Sequence, residues 1–227
     1  TSNGNTCRKV IITSPSMQEG KTVTAVNLAV AIAEAGNRVL IIDGDMRDGQ
    51  VHTYFRVRNS SGLSNLILGS AEISNTIIKY KGNQNLFIIT SGTIDSDPLD
   101  MATSEEMTQL MNRLSEQFDY IIVDSPAINV VSDAIPFSKI TDGIIMVVRC
   151  GSSTYSDIET AIDSFKLVDS NIIGFVLNDV LVSKKKYYRT STSSACLQYN
   201  AYTDGSYNNK NTYNSNTLKL KRQKQLK

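Results

Sequence analysis

Short, continuous runs of apolar residues recur along the chain and alternate with longer stretches of helical periodicity. Six runs have the length and β-branched composition of strands: "KVIIT" (9–13), "RVLIID" (38–43), "NLFIIT" (85–90), "DYIIVD" (119–124), "GIIMVV" (143–148) and "IIGFVL" (172–177). Strands show continuous rather than alternating apolarity when helices cover both faces of a parallel sheet. The pattern therefore predicts a buried, mostly parallel sheet.

Three longer segments between these runs predict helices. They span 22–36, which ends at Gly36, then 103–118, where Thr103 and Glu106 have capping-box spacing, and 153–168. Alternating strands and helices predict an α/β fold, a doubly wound sheet with helices on both faces and right-handed crossovers. In such folds ligands bind beyond the carboxyl ends of the strands.

Charge and composition divide the chain near residue 182. Residues 183–227 hold ten Lys/Arg and one acid, and 1–182 hold thirteen basic and twenty-one acidic residues, giving net charges of about +9 and −8. The basic segment is rich in Ser, Thr, Asn and Tyr, so it cannot bury enough apolar surface to offset its ordering entropy. We predict one domain over 1–182 and a disordered tail over 183–227.

Cysteine usage and hydropathy bound the cellular setting. Cys7, Cys150 and Cys196 are far apart and odd in number, which argues against a disulfide framework and favours a reducing cytosol. No apolar run approaches the ~20 residues needed to cross a bilayer. We therefore predict a cytoplasmic protein without a transmembrane segment of its own.

The stretch "TSPSMQEGKTVTAVN" (13–27), between the first strand and the first helix, ends like a phosphate-binding loop. Gly20, Lys21 and Thr22 occupy the last three positions of the pattern G-x-x-x-x-G-K-[ST]. Loop N–H groups and a helix N-terminus favour phosphate. Lys21 would then reach the β- and γ-phosphates of a nucleotide, and the Thr22 hydroxyl would bind Mg²⁺.

Three residues of this loop depart from the pattern or constrain it. Pro15 occupies the position of the first glycine, where it can hold φ near −65°. Gln18 would be strained if its backbone needs a positive φ. The Glu19 carboxylate must point away from the phosphates.

Carboxylates follow two other predicted strands. Asp124 ends an apolar run, where a second Mg²⁺ ligand belongs, and Asp43 and Asp45 flank one glycine, so in an extended chain they point the same way. One of this pair could orient the Mg²⁺ shell while the other accepts a proton from an incoming hydroxyl. Arg47 could offset part of their charge. Three phosphate and metal elements, each at a strand end, predict a site for a nucleotide and Mg²⁺.

Simpler interpretations apply to several polar residues. A strand-ending Asp is often a helix cap or turn former. For Asp133 we favour helix capping over a ligand role. We expect His52, the one histidine, on the surface or in a loop rather than as a catalyst.

These motifs resemble those of the bacterial tyrosine kinases (BY-kinases) encoded with capsular and exopolysaccharide genes. The similar segments are "QEGKT" (18–22, Walker A), "IIDGDMR" (41–47, Walker A′), "IIVDSPA" (121–127, Walker B), "GLSNLILG" (62–69) and "TSGTIDSDPLD" (90–100). The resemblance implies a P-loop NTPase-type fold. It also implies an ATP-dependent protein-tyrosine autokinase that regulates polysaccharide synthesis or export.

Carried over by position, the resemblance assigns roles to the site. Lys21, Asp43, Asp45 and Asp124 become catalytic, and Thr22, Asp45 and Asp124 become metal ligands. The implied cofactor-binding residues are Gln18, Glu19, Gly20, Lys21, Thr22, Val23 and Asn178. For Asn178, contact with adenine and simple capping of its strand both stay open.

Six tyrosines of the tail are candidate phosphoacceptors, by the same resemblance: Tyr187, Tyr188, Tyr199, Tyr202, Tyr207 and Tyr213. A phenol of pKa about 10 must lose its proton to attack phosphorus, so a carboxylate beside the γ-phosphate suits it. The alternative is that Tyr is incidental in a low-complexity segment. The family implies a membrane adaptor as activator, recruitment through it to the inner face of the membrane, and self-association in trans.

Other functions compete with this interpretation. A Min- or Par-type ATPase switch usually has a lysine early in the loop, where this chain has Ser16. A non-catalytic nucleotide-binding regulatory module stays open because of Pro15 and Gln18. The end "TLKLKRQKQLK" (217–227) could contact nucleic acid or anionic lipid, but its leucines form no convincing helical stripe, so we expect a solvated basic end and no nucleic-acid partner.

Overall fold

The computed structural model describes residues 7–93 and 96–180, which form a seven-stranded sheet. Its strands are β1 (Arg8–Thr13), β2 (Val39–Asp43), β3 (Ile78–Lys79), β4 (Leu86–Ile89), β5 (Tyr120–Asp124), β6 (Gly143–Arg149) and β7 (Ile172–Asn178). Their spatial order is β3-β4-β2-β5-β1-β6-β7. All neighbouring strands run parallel except β3 and β4.

Helices connect the strands and cover the sheet. They are α1 (Lys21–Glu34), α2 (Val51–Phe55), α3 (Leu63–Ile67), α4 (Ile73–Thr76), α5 (Pro98–Thr103), α6 (Glu105–Ser115), α7 (Ala134–Lys139) and α8 (Tyr155–Lys166). α1 packs against β1, β2 and β5 through a face of small side chains, among them Ala25, Ala29 and Ala33. These small residues let the helix lie close to the strands that carry the site.

The core occupies both faces of the sheet. Ile11, Ile42 and Val123 belong to one buried cluster together with side chains of α6, α7 and α8. Their strand neighbours Ile12 and Ile122 are buried as well, on the opposite face, because successive side chains of a strand alternate. Burial on both faces accounts for the continuous apolar runs and confirms the predicted doubly wound, mostly parallel sheet.

The six predicted strands are confirmed, each within one residue at either end. The two-residue strand β3 and the short helices α2 to α5 and α7 were not predicted. The capping box at Thr103 and Glu106 is wrong. Ser104 caps α6 by accepting a hydrogen bond from Met107 N at 3.2 Å, while the Thr103 hydroxyl donates to carbonyls of its own helix, α5.

The predicted basic tail, residues 183–227, lies outside the described residues together with its six tyrosines. The compact unit that the structure describes ends at Val180. The domain boundary at residue 182 therefore stays a prediction.

Three adjacent strands, β2, β5 and β1, place polar residues at one edge of the sheet. Asp43 ends β2 and lies directly opposite Asp124, which ends β5. Asp124 is in turn the register partner of Ile12, one residue before the end of β1 at Thr13. Because the strands are parallel, their carboxyl ends converge, and the loop that follows β1 meets the two carboxylates there.

Candidate active site

The loop over residues 14–20 links β1 to α1 and adopts a conformation with two positive φ angles. Gly20 has φ 97° and precedes the first residue of α1, Lys21. A Cβ at position 20 would collide with the side-chain amide of Asn178, so glycine is required there on two grounds. The first turn of α1 holds no acidic residue and no side-chain cap, which leaves its N–H groups directed toward the loop for an anion.

Gln18 has φ 61°, the left-handed conformation that the sequence identified as costly. A non-glycine residue loses about 1–2 kcal/mol there because its Cβ crowds the following carbonyl oxygen. Such strain persists when the surrounding structure fixes the residue. The loop is therefore held in a strained shape by contacts outside Gln18 itself.

The Glu19 side chain is fully buried beneath the loop. One carboxylate oxygen accepts a hydrogen bond from the Ser153 hydroxyl, and the other accepts one from Ser16 N at 3.4 Å. The carboxylate thus engages the loop itself and the segment that follows β6. Ser153 was missed by the sequence analysis because it is remote in sequence and belongs to no motif.

Main-chain hydrogen bonds join the ends of β1, β2 and β5. Gly44 N donates to the carbonyl of Asp124 at 2.7 Å, and Ser125 N donates to Ile12 O at 3.1 Å. Farther along, Ile128 N donates to Ser14 O at 3.0 Å and Asn129 N to Pro15 O at 3.2 Å. The backbone after β5 therefore fixes the first half of the phosphate-binding loop.

Asp43 and Asp124 form a buried carboxylate pair. Asp43 Oδ2 accepts a hydrogen bond from Val51 N at 3.0 Å, whereas Oδ1 of Asp43 and Oδ1 of Asp124 have no hydrogen-bond partner within the described ranges 7–93 and 96–180. Buried acceptors of this kind are normally satisfied. These two oxygens thus fit a site for a ligand, since either a metal ion or a donated proton would satisfy such a carboxylate oxygen.

The environment of the pair raises both pKa values. Burial, reinforced by the negative charge of Asp124, holds the pKa of Asp43 well above its ordinary value. Burial raises the pKa of Asp124 from 3.8 to about 7, while a hydrogen bond from Thr22 and the charge of Lys21 act in the opposite direction. Thr22 and Lys21 therefore lie beside Asp124, as the predicted Mg²⁺ and phosphate chemistry requires.

Asp45 is half-buried and accepts a hydrogen bond from Asp48 N at 3.0 Å. Its negative charge is among the contributions that raise the pKa values of both Asp43 and Asp124. The three carboxylates predicted from the sequence are thus neighbours at one edge of the sheet. Asp45 differs from the other two in being open to solvent.

Arg47 has a different partner from the one expected. Its guanidinium donates to both oxygens of Asp133, at 2.7 Å from Nε and 3.2 Å from the terminal nitrogen, and lies 3.5 Å from Asp97. Asp133, almost fully buried, stands at the start of α7 but makes no side-chain capping hydrogen bond. The prediction of a capping role for Asp133 is therefore wrong. The main ion pair of Arg47 is therefore with Asp133, and not with Asp43 or Asp45 as expected.

The remaining predicted residues lie at the rim. Asn178 Nδ2 donates to the carbonyl of Glu19 at 2.9 Å, and its Oδ1 accepts from Asp179 N at 2.9 Å, so this side chain closes against the loop. Contact of Asn178 with adenine stays a prediction. Val23, in the first turn of α1, is 39% exposed. His52, expected on the surface or in a loop, is half-buried in α2.

The described residues offer neither a cluster of metal-binding side chains nor a helix that could span a membrane. Across residues 7–93 and 96–180, no group of three or more His, Cys, Asp or Glu side chains is placed to hold a metal. A P-loop site needs no such group of three, because a hydroxyl and the nucleotide's own phosphate oxygens supply Mg²⁺ ligands besides the carboxylates. In the same part of the chain, no helix has the length and apolarity to cross a membrane.

The parallel sheet, the loop ending in Gly-Lys-Thr and the carboxylates beside it define a P-loop NTPase domain. Residues 18–178 match the family described as an AAA domain. In fold, the chain is similar to the septum site-determining protein MinD of Pyrococcus horikoshii, solved with Mg-ADP. The TM-score is 0.66 at 24% identity, over 85% of this chain and 77% of that one.

More specific similarities name a kinase. The chain is 33% identical to the putative tyrosine-protein kinase CapB of Staphylococcus aureus over 81% of this chain and 80% of that protein. It is 30% identical to the tyrosine-protein kinase ptk of Acinetobacter johnsonii over 78% of this chain but 24% of that protein. The kinase domain of the Escherichia coli tyrosine kinase ETK superimposes with a TM-score of 0.74 at 30% identity, covering 85% and 72% of the two chains. The chain belongs to the bacterial tyrosine-kinase family.

Proposed function

We propose that the chain is an ATP- and Mg²⁺-dependent protein-tyrosine autokinase. The observation that carries this proposal is the buried pair Asp43 and Asp124, which presents two carboxylate oxygens without described partners beside Lys21 and Thr22. The kinase names of the relatives support the choice of phosphoryl transfer over simple hydrolysis.

Binding of the nucleotide phosphates falls to the loop and to α1. The N–H groups at the start of α1 and the Lys21 ammonium stabilise negative charge on the β- and γ-phosphates. The Thr22 hydroxyl and the carboxylates of Asp124 and Asp45 would hold Mg²⁺, which supplies further charge neutralisation during transfer. Val23 and Asn178 would complete the nucleotide-binding rim, and Glu19 would contribute through its main chain, since its side chain is buried.

We assign the proton acceptor to Asp43. The tyrosine oxygen forms a bond to the γ-phosphorus, the bond between that phosphorus and the β–γ bridging oxygen breaks, ADP leaves, and the phenolic proton passes to a carboxylate. Burial and the charge of Asp124 raise the pKa of Asp43, which makes its carboxylate a stronger base. Its Oδ1 has no described partner, whereas Oδ1 of Asp45 already accepts from Asp48 N.

In this proposal the tail tyrosines reach the active site of a neighbouring subunit and are phosphorylated in trans. These acceptors are Tyr187, Tyr188, Tyr199, Tyr202, Tyr207 and Tyr213. Each phosphate would add about −1.5 to −2 charges to a segment of about +9. Resemblance to the family supports a membrane adaptor as activator and control of capsular or exopolysaccharide synthesis or export. It also supports a cytoplasmic location at the inner face of the membrane.

The test is phosphorylation of the purified chain in Mg²⁺-ATP, mapped by intact mass and tandem mass spectrometry. Lys21→Met should abolish phosphotyrosine, and the surface substitution Lys139→Met should not. A truncation after Val182 should remove the acceptors while it retains nucleotide binding. Asp43→Asn should abolish phosphoryl transfer while MgADP binding is retained. Asp45→Asn should instead raise the Mg²⁺ concentration that transfer requires.

Two results would contradict the proposal. ATP hydrolysis without phosphotyrosine, even after addition of an adaptor's cytoplasmic segment, would indicate a Min- or Par-type ATPase switch. Absence of nucleotide binding by the unaltered chain would show that the loop with Pro15 and Gln18 no longer holds phosphate, as in a non-catalytic regulatory module.

A further inference from the structure

The second half of the phosphate-binding loop is held through one buried residue, Glu19. Its carboxylate accepts from the Ser153 hydroxyl and from Ser16 N, and its main-chain carbonyl accepts from Asn178 Nδ2 at 2.9 Å. Ser153 precedes α8 and Asn178 ends β7, so two separate segments reach the same residue. The first half of the loop is fixed differently, by main-chain bonds from Ile128 and Asn129.

Ser153 is itself held in place. Thr154 and Asp157 form a capping box at the start of α8, with Thr154 N donating to Asp157 Oδ2 at 2.8 Å and Asp157 N donating to the Thr154 hydroxyl at 3.2 Å. Asn129 Nδ2 donates to the carbonyl of Asp157 at 2.9 Å. The segment that carries the Ser153 hydroxyl is therefore held by the side chain of Asn129, which follows β5.

The contacts of Glu19 flank the strained residue of the loop. The hydrogen bond from Ser16 N to the Glu19 carboxylate spans Gln18, whose φ is 61°. A residue in this conformation relaxes unless neighbouring contacts determine its position. A buried carboxylate that lost the Ser153 hydroxyl would also seek another donor, because an unsatisfied buried charge is costly.

We propose that Ser153 is a positioning residue for the phosphate-binding loop. Its hydrogen bond to Glu19 holds Gln18 in the left-handed conformation, so that the loop has its binding shape before a ligand arrives. The inference rests on the proposed function only in taking phosphate as the ligand of this loop. The structural part, a loop held by Ser153, is testable without nucleotide.

The first experiment is amide hydrogen exchange of the full chain without nucleotide, followed in peptides covering residues 14–22. Ser153→Ala should speed exchange in these peptides about tenfold, because loss of one hydrogen bond to a buried charge is comparable to a tenfold change in local opening. Ser153→Thr, which keeps the hydroxyl, should restore slow exchange. Ser152→Ala, at the exposed neighbouring position, is the matched control and should change nothing.

A double substitution separates positioning from general destabilisation. In a Gln18→Gly background the left-handed conformation is unstrained, so Ser153→Ala should accelerate loop exchange less than it does in the chain with Gln18, by the share that came from strain. MgADP titrations should follow the same pattern, with an affinity loss of about tenfold for Ser153→Ala alone and a smaller loss in the Gln18→Gly background.

Each outcome decides a different claim. Exchange within twofold of the unaltered chain in Ser153→Ala would overturn the inference, whatever the nucleotide affinity. An equal acceleration in both backgrounds would overturn it too, since Ser153 would then stabilise the region irrespective of Gln18. The predicted exchange pattern without any MgADP binding would support the positioning role and overturn the proposed function.

Discussion

The buried carboxylate Asp124 makes the stability of the metal-free protein depend on pH in an unusual direction. Burial raises its pKa from 3.8 to about 7. Between about pH 4 and pH 7 the folded chain therefore binds a proton at this position that the unfolded chain has released. The free energy of unfolding falls with rising pH wherever the folded state binds more protons than the unfolded state. We therefore expect it to fall between about pH 4 and pH 7.

The size of the effect follows from the pKa values. At 1.36 kcal/mol for each pKa unit, a rise from 3.8 to about 7 corresponds to up to about 4 kcal/mol. The contribution is present below about pH 4 and is lost once the pH passes about 7. Such a loss is large beside the 5–15 kcal/mol that separates most folded domains from their unfolded state. Asp43, whose pKa is raised in the same direction, adds to the slope.

The perturbation is Asp124→Asn, which removes the titration and keeps the size of the side chain. Urea unfolding between pH 5 and pH 8 in the presence of a chelator should show stability of the unaltered chain falling with pH. The variant should show a shallower slope, because the charge that helps to raise the pKa of Asp43 is also gone. Asp163→Asn, an exposed surface change, should leave the slope as it is.

Addition of Mg²⁺ and ADP gives a second, opposite readout. Metal binding requires the ionised carboxylate, so stabilisation of the unaltered chain by Mg²⁺ and ADP should grow as the pH rises through about 7. Asp124→Asn should lose this gain. Equal slopes for the variant and the unaltered chain without metal would contradict this prediction, because they would show that burial does not govern the ionisation of Asp124.

Three further substitutions test separate features of the fold and the site. Gln18→Gly should raise the free energy of unfolding by about 1 kcal/mol by urea titration, and Gln18→Ala should not, because only glycine relieves the positive φ. Arg47→Met should lower the free energy of unfolding by about 3 kcal/mol, because it leaves the buried Asp133 unpaired. The double change Arg47→Met with Asp133→Leu should recover part of that loss. Gly20→Ala should abolish MgADP binding in calorimetry, because its Cβ collides with Asn178.

The sheet could be predicted from sequence because each strand that carries the site is buried on both faces. β2 is "VLIID", every residue of which is buried, and no other local structure explains such a run as simply. β3 was not predicted, because a strand of two residues is too short to show a hydrophobic pattern in the sequence. Thr103 was chosen over Ser104 as the cap of α6 because two adjacent hydroxyl residues offer the same signal.

The site was predictable in the parts that a motif or a strand end marks. Lys21, Thr22, Asp43, Asp45 and Asp124 converge because parallel strands bring their carboxyl ends together. The partners of Asp133 and Glu19 were not predictable, because Arg47 and Ser153 lie 86 and 134 residues away in sequence. Local spacing contains no information on such pairs, so a capping role for Asp133 was the simpler interpretation.

The main-chain bonds that join the ends of β1, β2 and β5 have a consequence for evolution. Gly44 N, Ser125 N, Ile128 N and Asn129 N donate to carbonyls, and none of these bonds depends on which side chain a position carries. Side chains at these positions can therefore differ without loss of the bonds, which is compatible with Pro15 at the position where the loop pattern has a glycine. Change of sequence and persistence of shape are therefore compatible in the first half of the loop, because the bonds that fix it run between peptide groups.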